Sequence, residues 1–173
     1  MKALSKSLTD RTASKELALK FAYPRRRDNV TVETRHASCV ALYGAGVMIA
    51  GASGSGKSDL ALRLLDRGAA LISDDYVELH NDDNQILLTA PAKIAGKIEI
   101  RSLGIFDYAH VSNIPLRLHV RLKSEPERFP LDSQTETIMT MAIPTITINP
   151  AEASAPIKVE MALKQLLQGP QSV

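Results

Sequence analysis

Apolar residues fall along this chain mostly in short alternating or continuous runs, the signature of strands. From 31 to 50, β-forming residues dominate and are broken by Gly44-Ala45-Gly46, which predicts a hairpin turning at those three residues. Its second arm, Val47-Met48-Ile49-Ala50, runs straight into a glycine-rich stretch. Over 58–67 the period changes. Leu60, Ala61, Leu64 and Leu65 share one face of a helix, and Gly68 suits the left-handed position that ends it. Residues 69–73 read as a short buried strand closing on Asp74-Asp75, and 77–89 as a second hairpin turning at Asn81-Asp82-Asp83-Asn84. Leu116, Leu118, Val120 and Leu122 alternate with Arg117, His119, Arg121 and Lys123, the pattern of a strand with one wet face. Residues 124–135, with Pro126 and Pro130, read as loop, 143–148 as a strand and 158–167 as a terminal amphipathic helix. Strands outnumber helices, so the expected fold class is α/β on a mixed sheet with few helices, not a doubly wound parallel sheet.

Composition narrows the function classes. The 173 residues suit one domain with a real core, and 45% hydrophobic with 23% charged residues is ordinary for a soluble protein. The 4% aromatics and absence of Trp argue against a stacking platform for single-stranded nucleic acid, and no nucleic-acid partner is expected. Charge is uneven. Residues 1–28 carry eight Lys/Arg against three acids, a local +5 in a chain of net +2, so the remainder stands at −3. We divide the chain into a basic arm, 1–29, and a folded domain, 30–173, with Pro24-Arg25-Arg26-Arg27 as the join. The arm reads as a solvated tail, with docking to an acidic partner as the sharper alternative. Cys39, the single cysteine, lies in an apolar run and reads as a buried thiol. No apolar stretch approaches about 18 residues and no signal peptide is apparent, so no membrane partner and a cytoplasmic location are expected.

The strongest chemical signal is Gly51-Ala52-Ser53-Gly54-Ser55-Gly56-Lys57-Ser58, a complete G-x-x-x-x-G-K-[ST] between a predicted strand and a predicted helix. The glycines let backbone N–H groups converge on phosphate oxygens, and the helix start adds its positive end. Lys57 is expected to reach the β- and γ-phosphates of ATP, and the Ser58 hydroxyl to ligate Mg2+. The motif binds a nucleoside triphosphate; the acceptor must be read elsewhere.

Asp74 and Asp75 close the strand beside that loop. Adjacent side chains at a strand end diverge, so one can serve the metal while the other takes a proton from a hydroxyl acceptor. Turn chemistry is the plainer alternative. In Ile98-Glu99-Ile100-Arg101-Ser102-Leu103-Gly104-Ile105, Glu99 and Arg101 share a face if the piece is extended, as a surface pair or as a metal ligand and phosphate clamp. His36 alone carries no metal-ligand spacing with His80, His110 or His119.

Taken together, these residues resemble the catalytic domain of HPr kinase/phosphorylase over 31–167. His36 stands 15 residues before the first glycine of the motif, the Asp pair 23 and 24 after it, and the segment 98–105 follows. The resemblance implies a protein-serine kinase acting on HPr, the phosphocarrier of the sugar phosphotransferase system, with a reverse phosphorylase activity in many members. It implies Lys57 and Ser58 in their motif roles, Asp75 as proton acceptor, His36 in the active site and Glu99 as second metal ligand. A later active-site Arg falls on Arg128 of Glu127-Arg128-Phe129-Pro130. It further implies a sheet akin to that of phosphoenolpyruvate carboxykinases and a homo-oligomer, often a hexamer. With only about 30 residues before the catalytic part, where long members carry a separate N-terminal domain, the chain resembles the short forms found in some proteobacteria, particularly the α-class. An Arg-bearing loop that the family ties to dephosphorylation corresponds to 149–154, which holds no Arg. A small-molecule kinase and an ATP-binding regulatory module without catalysis stand as the alternatives.

Overall fold

A computed structural model describes residues 31–82, 84–127 and 134–169. Its elements follow as β1 (Val32–His36), β2 (Ser38–Leu42), β3 (Ala45–Ala50), α1 (Lys57–Asp66), β4 (Ala70–Ser73), β5 (Tyr76–Asp82), β6 (Gln85–Thr89), β7 (Lys97–Ile100), β8 (Gly104–Asp107), β9 (Ile114–Leu122), β10 (Thr135–Ile138), β11 (Met141–Ile148) and α2 (Ala155–Gln168). The proposed arm, Asp83 and Arg128 lie outside the described residues.

Nine strands form one mixed sheet around β9. On one side β9 runs parallel to β3, from Gly46↔Leu116 to Ala50↔Arg121. On the other, its start pairs antiparallel with β6 and its end parallel with β11, Thr145↔His119 to Ile148↔Leu122. The order β1-β5-β6-β9-β3-β2-β4 completes the sheet, and β7–β8 is a separate hairpin. Strand-dominated α/β architecture on a mixed sheet is thus what the alternating runs predicted.

Two apolar cores hold it. Val47, Ile49, Leu118 and Val120 meet Leu60 and Leu64 of α1 and Val159 and Leu163 of α2 in the first. Cys39, Met48, Ile72, Leu88, Ile114 and Ile143 form the second. Each fully buried Leu, Ile or Val contributes about 1.5–3 kcal/mol. The guanidinium of Arg67, just past α1, pairs with Glu160 of α2 and ties the helices together; the bond to Arg67 holds the Glu160 carboxyl below its ordinary value.

Several sequence expectations need correction. The run 31–50 is three strands: β1 leaves at Ala37 to pair with β5, and only β2–β3 is a hairpin. That hairpin turns at Tyr43-Gly44, both at positive φ (54° and 77°), while Gly46 lies inside β3. A Cβ at Gly46 would stand 3.0 Å from the carbonyl oxygen of Pro115, so the close approach of β9 requires glycine there. Strand β10 was not anticipated, and α2 starts earlier than expected, with Pro156 in its first turn, where no N–H is needed. Arg101 sits in the β7–β8 turn, so it does not share a strand face with Glu99. His119 is buried although its neighbours alternate as a wet face.

Candidate functional site

Strand β3 carries the chain to its end at Ala50, where residues 51–56 fold back into α1. Gly54 and Gly56 adopt φ of 75° and 92°, values that only glycine takes without strain. Gly56 caps α1 without a side-chain hydrogen bond, so no side chain occupies the first-turn amides. Lys57 is buried and its Nζ bonds the carbonyls of Gly51 (3.3 Å) and Ala52 (3.2 Å), arching the ammonium back over the loop. Ser55 Oγ is buried with no partner among the described residues. Amides, a helix start and an ammonium in one turn make an anion cradle.

Asp74 stands at the end of the buried strand β4, 4% exposed. Its Oδ1 accepts from Ser38 (2.7 Å) and from Ser58 of the loop (2.9 Å), and its Oδ2 accepts from the Glu99 amide (3.3 Å). The carboxylate thereby links β2, the phosphate loop and β7. Asp75 points elsewhere. The Tyr76 amide bonds the Asp74 carbonyl (2.9 Å) across it, and its φ is 70°, a γ-turn of the strained, positive-φ kind. Its carbonyl accepts from Ala37 (3.0 Å), and its exposed carboxylate lies 3.6 Å from His36 Nε2. The two adjacent aspartates do diverge.

A cleft of about 440 Å³ collects these groups, lined among others by His36, Lys57, Ser58, Asp75, Glu99 and Arg101. Of the sequence-nominated residues, His36, Ser53, Gly54, Gly56, Lys57, Ser58, Asp75 and Glu99 line this cleft; Asp74 does not line it but bonds Ser58, which does, and Arg128 falls outside the described residues. Gly56 also abuts Pro150, and Arg63 of α1 donates to the carbonyls of Pro150 and Glu152, so the stretch 149–154 borders the phosphate loop. Cys39 is fully buried, and burial pushes its thiol far above the usual range, so it takes no part.

Fold and cleft define a P-loop protein with a carboxylate pair beside the phosphate cradle. Comparison with known proteins narrows this. The model of the HPr Serine kinase C-terminal domain matches residues 29–169, and the chain belongs to that family. It is 37% identical to the HPr kinase/phosphorylase of Levilactobacillus brevis over 65% of this chain and 40% of that protein. It is 35% identical to that of Prosthecochloris aestuarii over 77% of this chain and 44% of that one. The chain thus spans about two fifths of the length of these relatives. The solved Hpr(Ser) kinase/phosphatase of Coxiella burnetii superposes with a TM-score of 0.67 at 31% identity, covering 76% of this chain and 94% of that one.

Proposed function

We propose that this chain is an ATP-dependent protein-serine kinase whose acceptor is HPr or an HPr-like carrier. The observation that carries this reading is the position of Asp75. It lines the same cleft as Lys57 and the phosphate loop, yet it is free of the hydrogen bonds that engage Asp74. A carboxylate so placed can take the proton of a serine hydroxyl as the phosphoryl group arrives, while Lys57 offsets charge on the β- and γ-phosphates. His36, beside Asp75 and in a tilted ring contact with Tyr76 (5.3 Å between centroids), orients that carboxylate or a phosphate oxygen. Arg128 is assigned to the phosphate on the family resemblance alone.

The residues fit Mg2+. Ser58, Asp74 and Glu99 offer a hydroxyl and two carboxylates, the hard oxygen donors this ion takes, and Ser58 is already bonded to Asp74. Among the described residues no cluster of three or more His, Cys, Asp or Glu forms a metal cage. When bound with the triphosphate, the ion neutralises charge on the phosphate oxygens. Reverse phosphorolysis belongs to the same reading; the Arg-free stretch 149–154 beside the loop predicts that it is weak. Self-association is supported by the exposed apolar surface of β7–β8, with Leu103 69% and Ile105 70% exposed. No helix among the described residues is long and apolar enough to cross a membrane.

Incubation with labelled ATP, Mg2+ and HPr tests the reading. Acid-stable label on an HPr serine supports it. Label on a metabolite, or nucleotide binding without transfer, overturns it.

A further inference from the structure

A second cavity of about 310 Å³ lies on the face of the sheet away from α1, at the carboxyl ends of the parallel strands β3 and β9. It shares His36 with the cleft just described, and Gly51, the first residue of the phosphate loop, also lines it. In an open α/β sheet, the carboxyl ends of parallel strands are where ligands bind, and this volume is at the lower end of small-molecule sites, about 300–1,000 Å³. Met48 contributes to its apolar floor. Its polar wall is Arg35, His36, His119, Arg121 and Glu136.

The donors and acceptors on that wall can be counted. Arg35 uses its Nε on Glu33 Oε1 (2.6 Å), and Arg121 uses Nη2 on Glu136. Each guanidinium carries five N–H donors, so both retain some for a ligand. His119 Nδ1 lies 3.3 Å from Thr145 Oγ1, and Thr145 donates its hydroxyl proton to the Ile143 carbonyl (3.0 Å). The Thr145 oxygen is therefore the acceptor, and Nδ1 carries the imidazole proton. Nε2 keeps its lone pair and has no protein partner among the described residues. Burial favours the neutral ring.

We propose that this cavity is a second oxyanion site, beside the phosphate loop but on the other face of the sheet, for a small phosphate bearing a hydroxyl. Arg35 and Arg121 donate to the anionic oxygens, and His119 Nε2 accepts the hydroxyl hydrogen. Monohydrogen phosphate has that donor and acceptor set, and so does a hydroxylated phosphate monoester. Glu136 competes for Arg121, so it weakens binding and excludes anions unable to displace it.

Phosphate binding to the full chain, measured by titration calorimetry in a Lys57→Ala background, separates this site from the loop. Binding should persist in that background. It should weaken about tenfold or more in Arg121→Gln and in Arg35→Gln, and tighten in Glu136→Gln. Two arginine variants guard against one failing to fold, and thermal melts verify each. Displacement of phosphate by glycerol phosphate would assign the site to monoesters, and its absence to free phosphate; either supports a second site. No phosphate binding once Lys57 is removed, or binding indifferent to both arginines, overturns the proposal. Because the readout is binding, that outcome leaves the kinase reading standing.

Discussion

Asp75 Oδ1 lies 3.6 Å from His36 Nε2, and the two residues reach each other because β1 ends at His36 opposite Tyr76 of β5. Asp75 is held there by a backbone that L-residues seldom adopt, at φ 70°. Strain of this kind persists only where the surroundings hold it, and it clusters at working sites. Asp75→Asn keeps shape and hydrogen bonding but removes the base. Transfer to HPr should fall by about 10²–10⁴ with ATP affinity unchanged. Single-turnover kinetics alongside nucleotide titration measure both; unchanged turnover would remove Asp75 from the chemistry.

Its neighbour Asp74 has a structural duty besides the metal role proposed for it. Three donors, from Ser38, Ser58 and the Glu99 amide, end on one nearly buried carboxylate. Asp74→Ala leaves them without an acceptor, and about 2–4 kcal/mol of stability should be lost. Asp74→Asn retains one acceptor oxygen and should cost less. Urea denaturation of the two variants gives the comparison. Equal losses would mean that the carboxylate oxygens are not what those donors depend on.

The phosphate loop, the aspartate pair and the mixed sheet were legible because their signals are local: a motif between a β-run and a helical period, and alternation along single strands. What was missed depends on distant partners. The β10–β11 hairpin turns at Met139-Thr140, both at positive φ (48° and 80°), where Gly or Asn would have announced it. His119 reads as one of a wet row, yet Thr145 of β11 and its surroundings bury it. The second cavity draws Arg35, Arg121 and Glu136 from β1, β9 and β10, which no spacing rule connects. Arg101 illustrates the converse. An extended reading put it beside Glu99 on one strand face, whereas a turn brings it to the same cleft.

Burial of His119 has a consequence for pH. Desolvation lowers its value from the ordinary 6.5, opposed by Glu136 and aided by Arg121 and Arg35. The unfolded chain therefore binds the proton more readily than the fold. The contribution to stability is complete above the unfolded value and is lost as pH falls from there through the lower folded value. Melting temperature should decline on acidification from about pH 7 to about pH 5, before most carboxylates titrate. The slope should shrink in His119→Asn. An identical slope in that variant would locate the effect elsewhere.

Gly46 tests whether the phosphate cradle is insulated from strains in the sheet that carries it. A methyl group at Gly46 would meet Leu88 Cδ1 at 2.9 Å and the Pro115 carbonyl oxygen at 3.0 Å. The leucine tip can swing away, but the carbonyl belongs to the β9 backbone and cannot. Gly46→Ala should therefore cost about 1–3 kcal/mol through overpacking. Gly46 sits near the start of β3, and the strand runs through the buried Val47, Met48 and Ile49 before it reaches the loop. Val47 and Ile49 pack into the first core, where they anchor that end of the strand independently. ATP affinity should be unchanged at temperatures well below the lowered melting point. Weaker ATP binding by a still-folded variant would show that the register of β3 on β9 is transmitted to the loop.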